Sequence, residues 1–410
     1  MIKMMHFFNK TLYLVLFTIY TTGSIAQVDS SIYDQVQYII DATRKEFAPD
    51  KRTKLLEVIE ADVKKNTYIV QTSEIEIKEK LESRFASIKG VFHVTNLPEK
   101  SLGTHIYGIV NLSVANLRTS PSHAAEMATQ LLLGTQVDIL QKQGGNYRIR
   151  TPEGYIAWVP SSSIVPMNEA EITAWHKKKK IIYTAEFGKS FSHPHTSSQR
   201  VSDLVYGNIF SMRGEDQDFY EVAYPDQRIA YIPKSEALLF TDWLTTRQAT
   251  ADHILTSAKS MLGLPYLWGG TSVKGVDCSG FTKMSFFMNG YVIPRDASQQ
   301  VLAGNAIDIL DSAENFAPEI ALKNLKPADL LFFAADKKNT ANARVTHVAI
   351  YIGNGEFIHA AGTVRINSLL KGAVNYDDVQ TRTIIGARRY IETKDAAIQK
   401  IEENPYYSKN

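Results

Sequence analysis

The chain has 410 residues, of which 44% are hydrophobic and 10% aromatic, and both values are typical of a globular protein. At about 100–200 residues per domain, this length predicts about two to four domains. The 45 basic and 43 acidic residues leave a formal net charge of +2, which is too balanced to indicate a nucleic-acid-binding protein. The single cysteine excludes an intramolecular disulfide, a metal cage of several thiolates and an iron–sulfur cluster.

Residues 1–26 have the pattern of a secretory signal peptide. Two lysines precede the apolar run of residues 11–20, and the small residues Ser24 and Ala26 follow it. The run is shorter than the roughly 20 apolar residues that a spanning helix needs, although an uncleaved anchor is the alternative. We expect export to the periplasm or the extracellular space, with no stable membrane insertion after signal cleavage. Because unpaired thiols are unusual in exported proteins, a chemical role for the lone cysteine is favoured.

The first predicted domain, residues 27–105, combines helix and strand patterns. Apolar residues recur at helical spacing in residues 32–47 and 75–85, and residues 68–72 resemble a short strand. The charged residues on these segments are most simply a solvated face, and they form no pattern typical of catalysis.

An internal repeat follows, with a constant offset of 73 residues and no gaps. The matched pairs are Pro121 and Pro194, Gly134 and Gly207, Tyr147 and Tyr220, Pro152 and Pro225, Ile156 and Ile229, Ala157 and Ala230, and Pro160 and Pro233. Such self-similarity indicates duplicated modules. Short alternating runs broken by turn residues predict a small β-barrel in each copy, at residues 106–167 and 181–245, joined by a helical linker at 168–180.

The two copies differ at positions that could matter for function. Glu126 and Tyr155 of the first copy correspond to Gln199 and Arg228 of the second. On residue types alone, drift of surface residues explains these differences most simply.

The last predicted domain, residues 246–395, precedes a C-terminal tail at 396–410. Helices are predicted at residues 250–262 and 278–288, and strands at 329–333, 347–352, 356–359 and 384–390. Helices followed by successive short strands are typical of a segregated α+β domain.

The only cysteine, Cys278, begins the second of these helices. Unpaired backbone N–H groups and the positive end of the helix dipole should lower the thiol pKa there, and the same groups could hold an oxyanion. A cysteine nucleophile also needs a base. His347 and His359 lie on strands joined by the two-residue turn 354–355, so their imidazoles should be close. Singly, each is more typical of a hydrogen-bonded core histidine, but with the only cysteine they favour a Cys/His/His arrangement.

Asp277 has two interpretations. Its negative charge should raise the pKa of the neighbouring thiol, so activation of the nucleophile is not its role. It could pair with a substrate cation, or it could cap the N-terminus of the helix, and the sequence supports both equally.

Several motifs of the last domain are specific in combination. They are PYLWGG at 265–270, DCSGF at 277–281, THVAIYIG at 346–353 and FIHA at 357–360. Together they closely resemble the NlpC/P60 family of papain-like cysteine peptidases, over residues 250–392. Residues 108–118 and 125–130 resemble the bacterial SH3-type modules that precede the peptidase in the γ-D-glutamyl-L-diamino acid endopeptidase (dipeptidyl-peptidase VI) subgroup.

The resemblance implies an α+β, papain-like catalytic domain behind two SH3-like barrels and a mixed α/β module. Cys278 would be the nucleophile, His347 the general base and acid, and His359 the group that orients His347. Tyr266 would help the Cys278 backbone N–H to stabilise the oxyanion. The first barrel would restrict the cleft to substrates with a free N-terminal L-Ala. The residues implied in substrate binding are Glu126, Tyr155, Asp277 and Ser279.

The activity implied is hydrolysis of the γ-D-glutamyl–diamino acid bond of murein peptides, with no metal or organic cofactor. The diamino acid would be diaminopimelate or lysine, and the sequence does not indicate the oligomeric state. Three alternatives stay open: an endopeptidase on polymeric peptidoglycan that is anchored by the SH3-type modules, an acyltransferase or amidase on the same fold, and a non-enzymatic wall-binding protein.

Overall fold

A computed structural model describes residues 30–335, 343–376 and 383–408, so the predicted signal peptide lies outside the described residues. Among the described residues, no helix is both long enough and apolar enough to cross a lipid bilayer. The chain has the mixed helix and sheet architecture that the sequence predicts: a small three-stranded sheet, two seven-stranded sheets and a six-stranded sheet follow one another.

The N-terminal module packs two helices on one sheet. Its elements are α1 (Ser30–Phe47), β1 (Leu56–Asp62), β2 (Thr67–Thr72), α2 (Ile75–Phe85) and β3 (Val91–Asn96). Because β2 and β3 are parallel, α2 serves as the crossover between them. The apolar residues of α2 that recur every four positions, Ile77, Leu81 and Phe85, are all buried.

Two antiparallel seven-stranded sheets follow. The first barrel contains β4 (Tyr107–Val110), β5 (Val114–Arg118), β6 (Met127–Leu132), β7 (Gln136–Gln143), β8 (Asn146–Arg150), β9 (Ile156–Pro160) and β10 (Ile164–Met167). After α3 (Glu169–Lys177), the second barrel contains β11 (Lys180–Tyr183), β12 (Phe187–Phe191), β13 (Arg200–Val205), β14 (Ile209–Glu215), β15 (Phe219–Ala223), β16 (Ile229–Pro233) and β17 (Ala237–Leu239). The orders β10-β4-β7-β8-β9-β5-β6 and β17-β11-β14-β15-β16-β12-β13 are equivalent, as the sequence repeat predicts.

The two barrels touch at a glycine of the repeat. Gly134 has φ +84°, and its counterpart Gly207 has φ +91°, a backbone region that favours glycine. A Cβ on Gly134 would lie 2.2 Å from the carbonyl oxygen of Ile209, because the Ile209 N–H donates to Leu133 O at 2.9 Å. Little room for a side chain therefore remains at this contact.

The last domain packs helices against both faces of an antiparallel sheet. Its elements are α4 (Phe240–Thr245), α5 (Ala251–Ser260), β18 (Thr271–Ser272), β19 (Gly275–Val276), α6 (Cys278–Phe287), β20 (Tyr291–Val292), α7 (Ala297–Gln300), β21 (Asn305–Ile307), α8 (Pro318–Asn324), β22 (Leu330–Ala334), β23 (Val345–Gly353), β24 (Glu356–Ala361), β25 (Thr363–Ser368), β26 (Thr383–Arg389) and β27 (Gln399–Lys400). The sheet order is β21-β26-β22-β23-β24-β25. Helix α6 is buried in the core against β23 and β24, and its packing fixes where the thiol lies.

The segment after this sheet, in which the sequence predicts a C-terminal tail, packs against two domains. Ile398 and Ile401 are buried in the core of the last domain. The Tyr406 hydroxyl donates to the carboxylate of Asp138 in the first barrel at 2.6 Å. The described part of this segment therefore connects the first barrel to the last domain.

Candidate active site

The side chain of Asp277 caps the helix that begins with Cys278. Its Oδ1 accepts a hydrogen bond from the Gly280 N–H at 2.6 Å, and its Oδ2 accepts one from the Gly269 N–H at 3.0 Å. The structure thus contains the capping interaction, one of the two roles that the sequence left open for Asp277. The second bond also fixes the glycine loop that precedes the helix.

Arg295, which sequence reasoning did not single out, is the ion-pair partner of Asp277. It is 1% exposed and donates to both carboxylate oxygens of Asp277, at 3.1 and 2.7 Å. The same guanidinium donates to Ser279 Oγ at 2.9 Å and, from the first barrel, to Thr129 Oγ1 at 2.7 Å. Asp277 and Ser279 are therefore buried members of one polar network. Arg295 is 18 residues from Asp277 in the sequence, so no local pattern indicates this ion pair.

The pKa of the Cys278 thiol lies higher than the sequence predicts. Burial of the side chain, followed by the charge of Asp277, raises this pKa to about 11. Hydrogen bonds from the Val348 and Ser279 amides and the charge of Arg295 act in the opposite direction but are weaker. The expected lowering is wrong because the helix begins inside the protein, where desolvation of a thiolate outweighs the stabilisation that the helix N-terminus provides.

The two candidate histidines lie side by side on the hairpin formed by β23 and β24. Asn354 and Gly355 make the predicted two-residue turn, with φ +52° and +80°. Nε2 of His347 lies 2.7 Å from Nδ1 of His359, and both side chains are buried. Since the Val348 amide is hydrogen-bonded to the Cys278 sulfur, this strand runs directly beside the thiol. The structure therefore brings all three residues of the predicted arrangement into one place.

Beyond the histidine pair lies Asn367, a residue that no sequence pattern indicates. Nε2 of His359 is 2.9 Å from Oδ1 of Asn367 on β25, and Asn367 Nδ2 donates to the carbonyl oxygen of Asn375 at 2.9 Å. No β25 strand is predicted from the sequence, so no pattern there indicated a third strand beside the hairpin.

The backbone of Tyr266 lies close in space to the start of α6. It forms a parallel bridge with Val276, and its N–H donates to Gly362 O at 2.8 Å. Its side chain is half-buried against the core that contains Cys278. This backbone pairing holds the predicted oxyanion residue beside Val276, which precedes Cys278 by two residues.

Strand β6 of the first barrel forms a wall beside the capped helix. The Gln130 side-chain oxygen accepts bonds from the buried Thr271 N–H and from Ser272 Oγ, both at 3.0 Å. Met127 O lies so close to the glycine loop that a Cβ on Gly269 would be 2.7 Å from it. Glu126 is exposed and immediately precedes this docked strand. The structure thus places its backbone next to the loop that Asp277 holds.

Tyr155, which immediately precedes β9 of the same barrel, also contacts the last domain. Its hydroxyl donates to Asp296 Oδ2 at 3.2 Å, and Arg52 of the N-terminal module donates to the same oxygen at 2.7 Å. Burial, followed by the charge of Asp296, raises the pKa of Tyr155. The N-terminal module, the first barrel and the last domain therefore meet at Asp296, which directly follows Arg295 in the chain. No sequence pattern indicates Arg52 or Asp296, because their pairing spans distant parts of the chain.

Comparison with known families assigns two segments of the chain. Residues 263–383 match the NlpC/P60 family, and residues 117–164 match the bacterial dipeptidyl-peptidase SH3 domain. The first segment contains Cys278, His347 and His359, and the second contains Glu126 and Tyr155.

Three relatives whose names state an activity are similar to more than half of this chain. A γ-D-glutamyl-L-lysine dipeptidyl-peptidase from Bacillus cereus is 27% identical over 66% of this chain and 77% of its own length. A protein of the same name from Bacillus subtilis is 27% identical over 57% of this chain and 72% of its length. Dipeptidyl-peptidase 6 from Lysinibacillus sphaericus is 26% identical over 64% of this chain and 91% of its length.

Two solved structures have a similar fold. An NlpC/P60 family protein from Bacillus cereus superimposes with a TM-score of 0.57 at 25% identity, covering 70% of this chain and 99% of that protein. The fold is also similar to that of an NlpC/P60 endopeptidase from Photobacterium damselae, with a TM-score of 0.53 at 14% identity, over 86% of this chain and 90% of that one.

Proposed function

We propose that this chain, which carries an NlpC/P60 cysteine peptidase domain and a bacterial dipeptidyl-peptidase SH3 domain, hydrolyses the γ-D-glutamyl–diamino acid bond of murein peptides that have a free N-terminal L-Ala. The single observation that carries the chemistry is the buried thiol of Cys278 beside the paired imidazoles of His347 and His359. The names of the Bacillus relatives support the γ-D-glutamyl substrate class.

In the proposed mechanism, Cys278 needs a base because its raised thiol pKa keeps it protonated at neutral pH. His347 takes the thiol proton as sulfur attacks the γ-carbonyl carbon. It then gives that proton to the leaving amino group, the amide C–N bond breaks, and a thioester remains. Water, deprotonated by His347, attacks the thioester and releases L-Ala-γ-D-Glu, and the proton returns to the sulfur.

His359 orients His347 and supports its positive charge during each transfer. Its Nδ1, at 2.7 Å, is the hydrogen-bond partner of His347 Nε2. The backbone N–H of Cys278 and the hydroxyl of Tyr266 stabilise the oxyanion that forms on the γ-carbonyl oxygen. No metal or organic cofactor takes part in this proposal.

The free amino group of the substrate is bound at the wall formed by the first barrel. Glu126 supplies an exposed carboxylate, and Tyr155, Asp277 and Ser279 complete the subsite with the network behind them. The second barrel has Gln199 and Arg228 at the equivalent positions, and Arg228 is paired with Asp226 at 2.7 Å. We therefore assign the second barrel a structural role. A carboxylate beside a closed wall selects a free amine because an acylated one carries no charge.

The proposed setting is turnover or recycling of cell-wall peptides outside the cytoplasm, after removal of residues 1–26. The proposed domain boundaries are those that the sequence suggests. They are 27–105 for the N-terminal module, 106–167 and 181–245 for the barrels around the linker 168–180, 246–395 for the peptidase domain, and 396–410 for the tail.

Mass-spectrometric product analysis tests the proposal. The mature chain is incubated with L-Ala-γ-D-Glu-diaminopimelate, its lysine analogue and intact murein sacculi, with Cys278→Ala as control. Release of L-Ala-γ-D-Glu and the free diamino acid from the soluble peptides, lost in the variant, is the expected result. Release of peptides from sacculi instead would favour a wall endopeptidase. No hydrolysis of any substrate would overturn the proposal in favour of an acyltransferase or a wall-binding protein.

A further inference from the structure

Both polar atoms of the Asn367 side-chain amide are hydrogen-bonded. The amide group lies between the imidazole of His359, 2.9 Å from its Oδ1, and the carbonyl oxygen of Asn375, 2.9 Å from its Nδ2. It projects from β25, which pairs with β24 in a register that places Ile366 opposite Ile358. The amide is therefore held at the far end of the histidine pair from the thiol.

The orientation of this amide follows from its partners. A backbone carbonyl can only accept a hydrogen bond, so the Asn367 nitrogen must face Asn375 and its oxygen must face His359. A carboxamide oxygen is likewise only an acceptor, and Nε2 of His359 must therefore carry a proton. In neutral His359, Nδ1 is then an acceptor.

The same donor and acceptor rule fixes the tautomer of His347, the proposed general base. Because Nδ1 of His359 accepts, Nε2 of His347 must donate across the 2.7 Å contact. The remaining nitrogen of neutral His347, Nδ1, then keeps its lone pair and can accept a proton. The carbonyl oxygen of Asn375 thus selects, through Asn367 and His359, the only tautomer of His347 in which Nδ1 can act as a base.

We propose that Asn367 is a positioning residue of the reaction, which fixes the tautomers of His359 and His347 without touching the substrate. This inference rests on the proposed thiol chemistry of Cys278 but not on the identity of the peptide. Burial strengthens it, since His359 is 0% exposed and no bulk water can replace the Asn367 oxygen freely.

Two substitutions of Asn367 distinguish the effect of its acceptor oxygen from the effect of its side-chain volume. Asn367→Leu keeps a similar volume and removes the acceptor, so both tautomers become populated. We expect kcat to fall by about 10-fold to 100-fold, as for other residues that orient a catalytic group through a hydrogen bond, with KM nearly unchanged. Asn367→Asp keeps an oxygen toward His359 but loses the donor to the Asn375 carbonyl, so it should restore part of kcat. The matched control is Asn324→Leu, which removes an amide-to-carbonyl hydrogen bond of 2.9 Å elsewhere in the same domain.

Nitrogen NMR of the full chain labelled with ¹⁵N-histidine reads the tautomers directly. His347 should show a protonated Nε2 and an unprotonated Nδ1 in three proteins: the wild type, the Asn367→Asp variant and the Asn324→Leu variant. In Asn367→Leu it should show a mixture. A wild-type tautomer in Asn367→Leu, or a loss of kcat that Asn367→Asp does not restore, would overturn the proposal.

Alkylation of the Cys278 thiol tests the role of Asn367 independently of the proposed peptide substrate. The rate of Cys278 modification by iodoacetamide at neutral pH depends on the base and needs no peptide. A slower rate in Asn367→Leu than in the wild type and Asn324→Leu is expected. If the wild type cleaves no murein peptide while this rate and the NMR signals change as stated, the proposed substrate fails and the inference stands.

Discussion

The guanidinium of Arg295 and the carboxylate of Asp277 form two hydrogen bonds, at 3.1 and 2.7 Å, immediately behind the nucleophile. Through Thr129 the same arginine is also bonded to strand β6 of the first barrel. One buried ion pair therefore compensates the negative charge beside Cys278 and connects the catalytic helix to the wall of the cleft. Removing either partner should change both the thiol and the position of that wall.

Asp277→Asn should lower the pKa of the Cys278 thiol. The carboxylate is the second cause of the raised thiol pKa, after burial, and its loss also leaves the Arg295 charge uncompensated; both effects favour the thiolate. The pH dependence of alkylation by iodoacetamide measures this shift. Asp329→Asn is the matched control, because Asp329 is also buried in an ion pair with an arginine, Arg389, yet is not among the causes of the Cys278 shift. An equal shift in both variants would contradict the assignment.

Cys278→Ala should change how stability depends on alkaline pH. The folded-state thiol pKa of about 11 exceeds the ordinary value of 9.0, so the native state keeps a proton that the unfolded state releases. The free energy of unfolding of the wild type should therefore fall, relative to that of the variant, as pH rises from about 9 to about 11. For this buried group the full difference is about 2–3 kcal/mol. Urea unfolding at several pH values tests this, and parallel curves for the two proteins would contradict it.

Gly269→Ala should destabilise the chain more than Gly263→Ala. Both glycines have positive φ, +76° and +84°, so alanine strains the backbone by about 1 kcal/mol at either position. Only at Gly269 would the new Cβ also press on a neighbouring backbone, 2.7 Å from Met127 O; at Gly263 no atom lies within 4 Å. Thermal unfolding and peptide hydrolysis should both be affected more strongly by the first substitution. Equal losses would show that the barrel does not press on the glycine loop.

Much of the site could be predicted because its signals are local. A cysteine at a helix start and two histidines on a hairpin with an Asn-Gly turn have recognisable spacing, and the structure brings these residues together. Arg295 and Asn367 could not be predicted, because no motif marks Arg295 and no strand pattern marks the segment of Asn367, so only the tertiary fold brings them to Asp277 and His359. The expected raising of the Cys278 pKa by Asp277 agrees with the structure, whereas the expected net lowering at the helix N-terminus is wrong, because burial is a property of the packed domains.

Gln130→Ala should loosen the first barrel from the peptidase domain. The substitution leaves the buried Thr271 N–H without its acceptor, which costs about 1–3 kcal/mol in the free energy of unfolding. Because β6 carries the wall of the cleft, hydrolysis of the free-amine peptide should fall as well. Gln143→Ala, at an exposed position of the same barrel, is the control. Unchanged stability in both variants would contradict the role of Gln130 in docking.

The most direct test of the account compares kcat/KM for L-Ala-γ-D-Glu-diaminopimelate and for its N-acetylated form. The wild type should strongly prefer the free amine, and Glu126→Gln should lose about 10-fold to 100-fold of kcat/KM on that peptide alone, since a hydrogen bond to a charged group is lost. Gln199→Ala, at the equivalent position of the second barrel, should behave like the wild type. Equal cleavage of both peptides by the wild type would contradict selection of a free N-terminus.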